Sequence, residues 1–475
     1  MKRLLTLFSI VSLTSTAAYS QIDMGVPAAA GKGGTANAML GNFDCIGINP
    51  SNLGWRDNHV FSFTVANVGL TAQSRALDFN TLSNALMNPS DTFTLAEKQE
   101  YANAFATPEG FNFTANINWF AASLYFPKFG GLAINVRDRA FAHVTLSQNA
   151  ADVMFLGANA PAYLDSSALT QNMSSFFDGT SISMLHYREI NIAYGRKLFG
   201  LGTKADDGTQ PIEFFGGIGF KMLWGLGNVN ANINNGFLAG NTSLTSTYEV
   251  DYGSIQNFTP AKSSELFNSV GQGTAIDFGF SAVINEKIRA AVSFSDMGEI
   301  TWSQNLLLAA DTVMPTLDST TTGINSWDMS SQASYFFGDL VNYDPGREYV
   351  TKLPGRMRLG YGMKIGERLQ IGADVVVPLN KTSYNLASPY IAVGAEIKTF
   401  EFLKFHAGVA GNQDIGWNVP AGITIGPIGF FEIGIASGDV LTYFAKSDNP
   451  NLSFALGVIR FNFNKMDSSA PAPTN

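Results

Sequence analysis

From about residue 59 the chain alternates apolar and polar residues with a period of two, over segments of roughly ten to sixteen residues. That period belongs to strands whose two faces meet different surroundings. In FNFTANINWFAASLYF, Phe111, Phe113, Ala115, Ile117 and Trp119 share one face, and Asn112, Thr114, Asn116 and Asn118 hold the other. In RLQIGADVVV, Leu369, Ile371, Ala373 and Val375 oppose Arg368, Gln370, Gly372 and Asp374. Fourteen such segments can be placed, at 59–71, 111–126, 131–147, 184–198, 212–226, 273–284, 288–302, 354–364, 368–378, 389–398, 403–411, 417–426, 428–437 and 452–463. Long and short connections alternate between them. Outer-membrane barrels join an even number of strands in that way, with short periplasmic turns and longer outside loops. The pattern predicts an all-β, 14-stranded antiparallel transmembrane β-barrel over 59–463.

Two stretches break the rhythm. ALDFNTLSNALMN spaces its leucines at roughly helical intervals, and TLAEKQEYANAF opens with Thr94 and Glu97 at capping-box spacing. A helical outside loop at about 76–106 follows, which either covers the barrel mouth or receives a ligand.

An Arg or Lys facing lipid at mid-depth costs roughly 2–4 kcal/mol, so the polar face must be the lumen. This turns Arg137, Arg139, Glu189, Asp277, Arg289, Arg356, Arg358, Asp374, Glu396, His406 and Glu432 inward. Their mixed signs suit structural ion pairs better than a substrate site. A three-residue turn at 365–367 would place Arg358 opposite Asp374 as a cross-strand pair. In the last segment Leu452, Phe454, Leu456 and Val458 share a face with Arg460, and Ile459, Phe461 and Phe463 hold the other. If the terminal aromatics face lipid, Phe454, Leu456 and Val458, with Phe430, form an apolar lumen patch. Such a patch lines a route or packs against the segment before the first strand.

Composition agrees with extended structure rich in turns: 37 Phe, 15 Tyr, 6 Trp and 47 Gly, with 14% charged residues. Residues 1–20 read as a signal peptide, with Lys2 and Arg3, an apolar run from Leu4 to Leu13 and a small-residue site ending at Ser20. That run is too short for a spanning helix, and no later stretch supplies one. Without Lys2 and Arg3 the chain carries 27 basic residues against 38 acidic, a net charge of −11, which invites no nucleic acid. Cys45 is alone, which excludes an internal disulfide, and is expected to be buried. Residues 464–475, NKMDSSAPAPTN, read as a disordered periplasmic tail.

No residue is nominated for catalysis, a metal or a cofactor, and the chain reads as a non-enzyme. GKGGTA at 31–36 fits G-x-G-x-x-A but lacks the strand and helix that give the motif its meaning, and it falls short of a phosphate loop. His59, His143, His186 and His406 are scattered singly. NVNANINNG at 228–236 lacks the carboxylates of a calcium site and reads as a solvated loop.

GKGGTANAMLGNFDCIGINPSNLGW, residues 31–55, resembles the amino-terminal signature of FadL-type outer-membrane proteins, where a Gly/Ala-rich segment leads to an Asn-Pro-Ala turn before the first strand. Asn49 and Pro50 match that turn, and Ser51 replaces its Ala. TAIDFGFSAVINEKIRAAVSFSDMGEITW, 274–302, is similar to the Asp-x-Gly strand pair of FadL-like and PorV-like barrels, and KLPGRMRLGYG, 352–362, resembles the Leu-Pro that opens a later strand there. The resemblance implies a fourteen-stranded barrel whose amino-terminal segment, 21–58 here, folds inside as a hatch around Asn49, Pro50 and Ser51.

It further implies an outer-membrane channel for hydrophobic small molecules in a Gram-negative bacterium, embedded in outer-membrane lipid. The alternative is a PorV-like barrel that holds a secretion-system or surface protein partner, as in type IX secretion. A general porin is a third reading, obstructed by the amino-terminal segment.

Overall fold

Fourteen strands form the wall: β1 Phe61–Ser74, β2 Phe111–Phe126, β3 Gly130–Thr145, β4 Ser181–Leu201, β5 Ile212–Asn234, β6 Gly271–Ile284 and β7 Ile288–Trp302. The second half is β8 Arg356–Ile365, β9 Leu369–Pro378, β10 Tyr390–Phe400, β11 Leu403–Asn412, β12 Ala421–Ile428, β13 Phe431–Ser437 and β14 Asn451–Phe463. Each pairs antiparallel with the next, and β14 pairs back onto β1 from Phe61↔Phe463 to Gln73↔Asn451. The sheet closes into a barrel, which leaves no unpaired edge for lipid to meet. The computed structural model describes residues 25–463, apart from 75–76, 89, 107–109, 206–208, 249–267, 328–342, 429–430 and 446–449. The expected signal peptide, the tail at 464–475 and Phe430 lie outside the described residues.

The two-residue alternation sorts the wall. Inward Asn112, Thr114, Asn116 and Asn118 of β2 are buried, while outward Phe120, Leu124 and Phe126 are exposed. On β10 the exposed outward row is Ile391, Val393 and Ile397. Large apolar side chains exposed along neighbouring strands make a band suited to lipid.

Short turns join strands at one end and long connections at the other. Within the long ones, helices form at Phe79–Met87, Leu95–Phe105 and Gln148–Leu156. Thr94 and Glu97 complete a capping box on the second, which satisfies its first free N–H groups. These helices pack in one apolar cluster with Ala72, Leu146 and Leu452 at the strand ends.

Three expectations are corrected. The β8–β9 hairpin pairs Ile365 with Leu369, so the turn is 366–368 and Asp374 lies opposite Gly360, with Arg358 opposite Val376. The faces survive this shift because both registers leave an odd number of turn residues. NVNANINNG is not a loop: it continues β5 and turns at Asn235 and Gly236, both at positive φ, into a strand Phe237–Leu244. Asn-Gly supplies the left-handed pair that a tight hairpin demands. In β14, Arg460 opposes Glu432 but Gly457 opposes Gly434, so three steps of β14 match two of β13. That bulge reverses the phase of everything before it. Ala455, Gly457 and Arg460 are buried, whereas Phe454 (39% exposed), Leu456 and Val458 (40%) face outward and form no lumen patch.

A lipid-facing wall makes an asymmetric demand on charge. Val393→Arg should cost about 2–4 kcal/mol in urea unfolding of the protein in bilayers. A near-zero change would place β10 outside the apolar band.

Candidate functional site

Residues 25–55 are almost all buried and run as short turns, including a helical turn Pro27–Ala30 and 3-10 turns Asn42–Cys45 and Pro50–Gly54. They touch the wall on every side. Pro27 lies against Gly434 of β13 and Gly457 of β14, and Lys32 lies against Gly394 of β10. Asn37 Nδ2 donates to the carbonyls of Ala291 on β7 and Arg358 on β8, and Pro50 meets Gly195 of β4 and Gly217 of β5. The segment therefore occupies the lumen.

At the Asn-Pro turn, Asn49 Oδ1 accepts from the Ser51 backbone N–H at 3.1 Å and the Ser51 hydroxyl at 2.7 Å, while its Nδ2 donates to Asn37 Oδ1 at 2.9 Å. Pro50 takes the first helical position, where its fixed φ is favourable and no N–H is missed. Ser51 Oγ also lies 2.9 Å from Ser281 Oγ on β6, which accepts from Trp55 Nε1 at 3.0 Å. The wall meets this turn with glycines because backbone must touch backbone. A Cβ on Gly217 would lie 2.3 Å from the Pro50 carbonyl carbon, and one on Gly279 would lie 2.0 Å from Asn49 Oδ1.

Charges fasten the rest. Lys32 Nζ lies 3.3 Å from Glu396 Oε2, which also lies 3.4 Å from Nδ1 of His406; the other ring nitrogen of His406 is 2.8 Å from Thr424 Oγ1. Asp44 Oδ2 lies 2.6 Å from Nη2 of Arg460, whose Nε donates to Glu432 at 3.2 Å. Asp374 accepts the backbone N–H groups of Ala36 and Asn37, both at 2.9 Å, so it binds the segment. Asp57 bridges Arg289 and Lys364, the latter at 2.7 Å. Burial alone would raise the Asp57 carboxyl, but the two cations outweigh it and hold its pKa down to about 2. The bridge is complete above the ordinary Asp range and is lost only as pH falls through that value. Arg289 also stacks on Trp55, 4.0 Å from the ring centroid.

Farther along β3 to β7 lies a layer of three cations and three anions. Arg137 Nη2 meets Glu189 Oε1 at 2.6 Å, Arg139 Nη1 meets Asp296 Oδ2 at 2.9 Å, and Lys221 Nζ reaches Asp277 at 2.9 Å and Asp296 at 2.5 Å. All six are buried, and mutual pairing offsets their desolvation, helped at Asp277 by Asn191 Nδ2 at 3.0 Å and the Asp296 backbone N–H at 2.8 Å. Among the described residues no group of three or more His, Cys, Asp or Glu could hold a metal ion.

Toward the long loops the lumen turns apolar. Phe141, Leu185, Tyr187, Leu223, Ile300 and Trp302 form a cluster with Tyr384. The guanidinium of Arg139 lies 5.2 Å from the Phe141 ring, which joins this cluster to the charged layer. Tyr384 comes from the β9–β10 connection, and its hydroxyl donates to the Met184 carbonyl at 3.2 Å. Asn385 beside it is fully buried and accepts from Arg356 Nε at 3.1 Å. At the opposite, short-turn end a cavity of about 640 Å³ opens below Trp55, between Asp57, Arg289, Lys364 and Glu396.

Of the eleven charged residues expected in the lumen, Arg137, Arg139, Glu189 and Asp277 belong to the charged layer. Asp374 and Glu396 bond the amino-terminal segment, Arg358 meets it through its carbonyl, Arg289 meets Asp57 and Arg356 meets Asn385. His406 pairs with Glu396 and Thr424, and Glu432 with Arg460, all on the wall. Lys32, Asp44, Lys221, Asp296 and Tyr384 were not anticipated. Lys32 sits in the GKGGTA stretch and serves as an anchor for it. The glycines at inward strand positions were the available signal, since a strand glycine marks close backbone approach.

Residues 55–437 match the model of a family described as a family of unknown function, DUF5723. The chain belongs to that family. No curated protein matches this DUF5723 chain in sequence. Solved structures similar to it include the Ralstonia pickettii toluene transporter TbuX, 10% identical over 95% of this chain and 100% of that one, with a TM-score of 0.48. The P. putida toluene transporter TodX is 11% identical over 95% and 100%, TM-score 0.43. A Pseudomonas aeruginosa FadL homologue is 11% identical over 94% and 100%, TM-score 0.41.

Cys45 reports on the lumenal segment, because it is fully buried and burial pushes its thiol pKa up. Gly217→Val should drive Pro50 away and make Cys45 react with maleimide in the folded barrel, seen as a mass shift. Protection equal to the parent's would mean that the close fit does not hold the segment. Lys221→Met leaves Asp277 buried without a cation, while Asp296 keeps Arg139, and a loss of about 3–5 kcal/mol in urea unfolding is expected.

Proposed function

We propose that this barrel takes up hydrophobic small molecules across the outer membrane and that residues 25–58 act as its hatch. The observation that carries the reading is the apolar cluster of Phe141, Leu185, Leu223 and Trp302 inside the outer half of the lumen. An apolar solute gains by leaving water for such a lining, whereas an ion or sugar does not. Beneath it, the neutral charged layer and the lumenal segment leave little room for a standing water column, which argues against a general porin. The 640 Å³ cavity below Trp55 offers a vestibule on the far side of the hatch.

Deleting the gene should slow uptake of a labelled hydrocarbon or fatty acid, and restoring it with Leu185→Glu should not rescue the rate. Unchanged uptake, with affinity purification that yields secretion-system or surface proteins, would replace the channel by an assembly barrel. Steady ion conductance in liposomes would favour the porin.

A further inference from the structure

One ion pair stands on the wrong side of the wall for a lumen residue. β3 turns Arg137 and Arg139 inward, so Asp138 between them points outward, as do Leu132 (47% exposed) and Ile134 (37%) on the same strand. β4 turns Tyr187 and Glu189 inward, so Arg188 and His186 point outward with exposed Ile192. Arg188 grips Asp138 through two bonds, Nε to Oδ1 at 2.7 Å and Nη2 to Oδ2 at 2.8 Å. Trp119 of β2, itself 46% exposed, donates its indole N–H to Asp138 Oδ2 at 2.8 Å. His186 Nδ1 lies 2.7 Å from the Tyr248 hydroxyl.

Height decides what this group meets. Asp138 is about nine residues along β3 from Phe129 at the short-turn rim, or roughly 23 Å at ~3.3 Å per residue and ~40° tilt. The apolar band of such barrels is about 25 Å tall. The pair therefore sits where acyl chains end and headgroups begin on the long-loop side. A charge at that height costs little, and an indole beside it is the side chain an interface favours. Asp138 has its carboxylate occupied by Trp119 and Arg188, so its role is to fix the guanidinium. Arg188 keeps its Nη1 amino group without a protein partner among the described residues, on a side chain 29% exposed. His186 likewise keeps Nε2.

We propose that this outward site on β2–β4 binds the phosphate-bearing headgroup of an outer-leaflet lipid. Arg188, preset by Asp138, is the phosphate ligand; His186 supplies a second contact, and Trp119 packs against the upper acyl chain. A planar guanidinium fixed in advance suits a phosphate because little rotational freedom is left to lose. The site does not depend on the transport reading, since lipid affinity is measured apart from uptake.

The test is native mass spectrometry of the detergent-purified full-length protein titrated with bis-phosphorylated lipid A, dephosphorylated lipid A and inorganic phosphate. The wild type should bind phosphorylated lipid A roughly tenfold more tightly than the Asp138→Asn, Arg188→Gln double variant. Dephosphorylated lipid A should show no such gap, and inorganic phosphate should not compete at equal concentration. Arg188→Lys keeps the charge without the fork and should lose affinity several-fold, so it serves if the double variant does not fold. Equal lipid A affinity in wild type and a variant that still migrates as a folded barrel overturns the proposal. So does a wild-type dimer that the variant loses while lipid affinity stays the same, because that makes the site a contact between copies.

Discussion

A cylinder of fourteen strands has an interior wider than its own wall side chains can fill, whereas eight strands leave just enough room for them. Such a barrel must either admit water or be filled by chain from elsewhere. Here residues 25–55 supply the filling, and the fit is made at the level of main chain. Glycines on β4, β5 and β6 stand where Pro50 and Asn49 press against the wall. Each removes a Cβ from one contact, and together they let an irregular segment lie against regular strands without a gap.

The same constraint orders the charges. Carboxylates and guanidinium groups facing lipid at mid-depth are costly, so the wall sends most of them inward, where burial forces them to find partners. Wherever the lumenal segment reaches, the partners come partly from it: Lys32 for Glu396, Asp44 for Arg460, Asp57 for Arg289 and Lys364. Next to the segment, where Arg137 lies against Gly47, the wall pairs with itself through Arg137, Arg139, Glu189, Lys221, Asp277 and Asp296. Three positive and three negative groups leave that layer neutral, and this neutrality lets an apolar cluster lie directly above it.

Much of the barrel was legible because its cause is periodic. Alternation in β9, and in β2 as far as the bulge at Trp119, names the face of each residue, and an even strand count with alternating long and short links follows from closure. What was not legible is local or distant. The bulge in β14 is a single extra step, and no change of residue type marks it, so Phe454 and Val458 were assigned the wrong face. The β8–β9 turn slid by one residue because Ile365 suits a strand end as well as a turn. Lys32 and Asp44 gave no sign of their partners, which lie hundreds of positions away. Asp138 and Arg188 escaped notice for the opposite reason: they break the alternation, and a rule that sends all charge inward has no place for them.

The separation between partners has a consequence for how the molecule is made. Asp44 meets Arg460 across 416 positions, and Lys32 meets Glu396 across 364. Contacts of that span form late, because a long loop must be closed before it is rewarded. The lumenal segment, made before the wall, therefore finds its final neighbours only when the last strand arrives. Until β14 docks on β1, the segment has half a wall to lie against, and its anchoring aspartate has no guanidinium to meet. Closure of the wall and ordering of its contents are one event in assembly, so a fault in either would be felt as a failure of both.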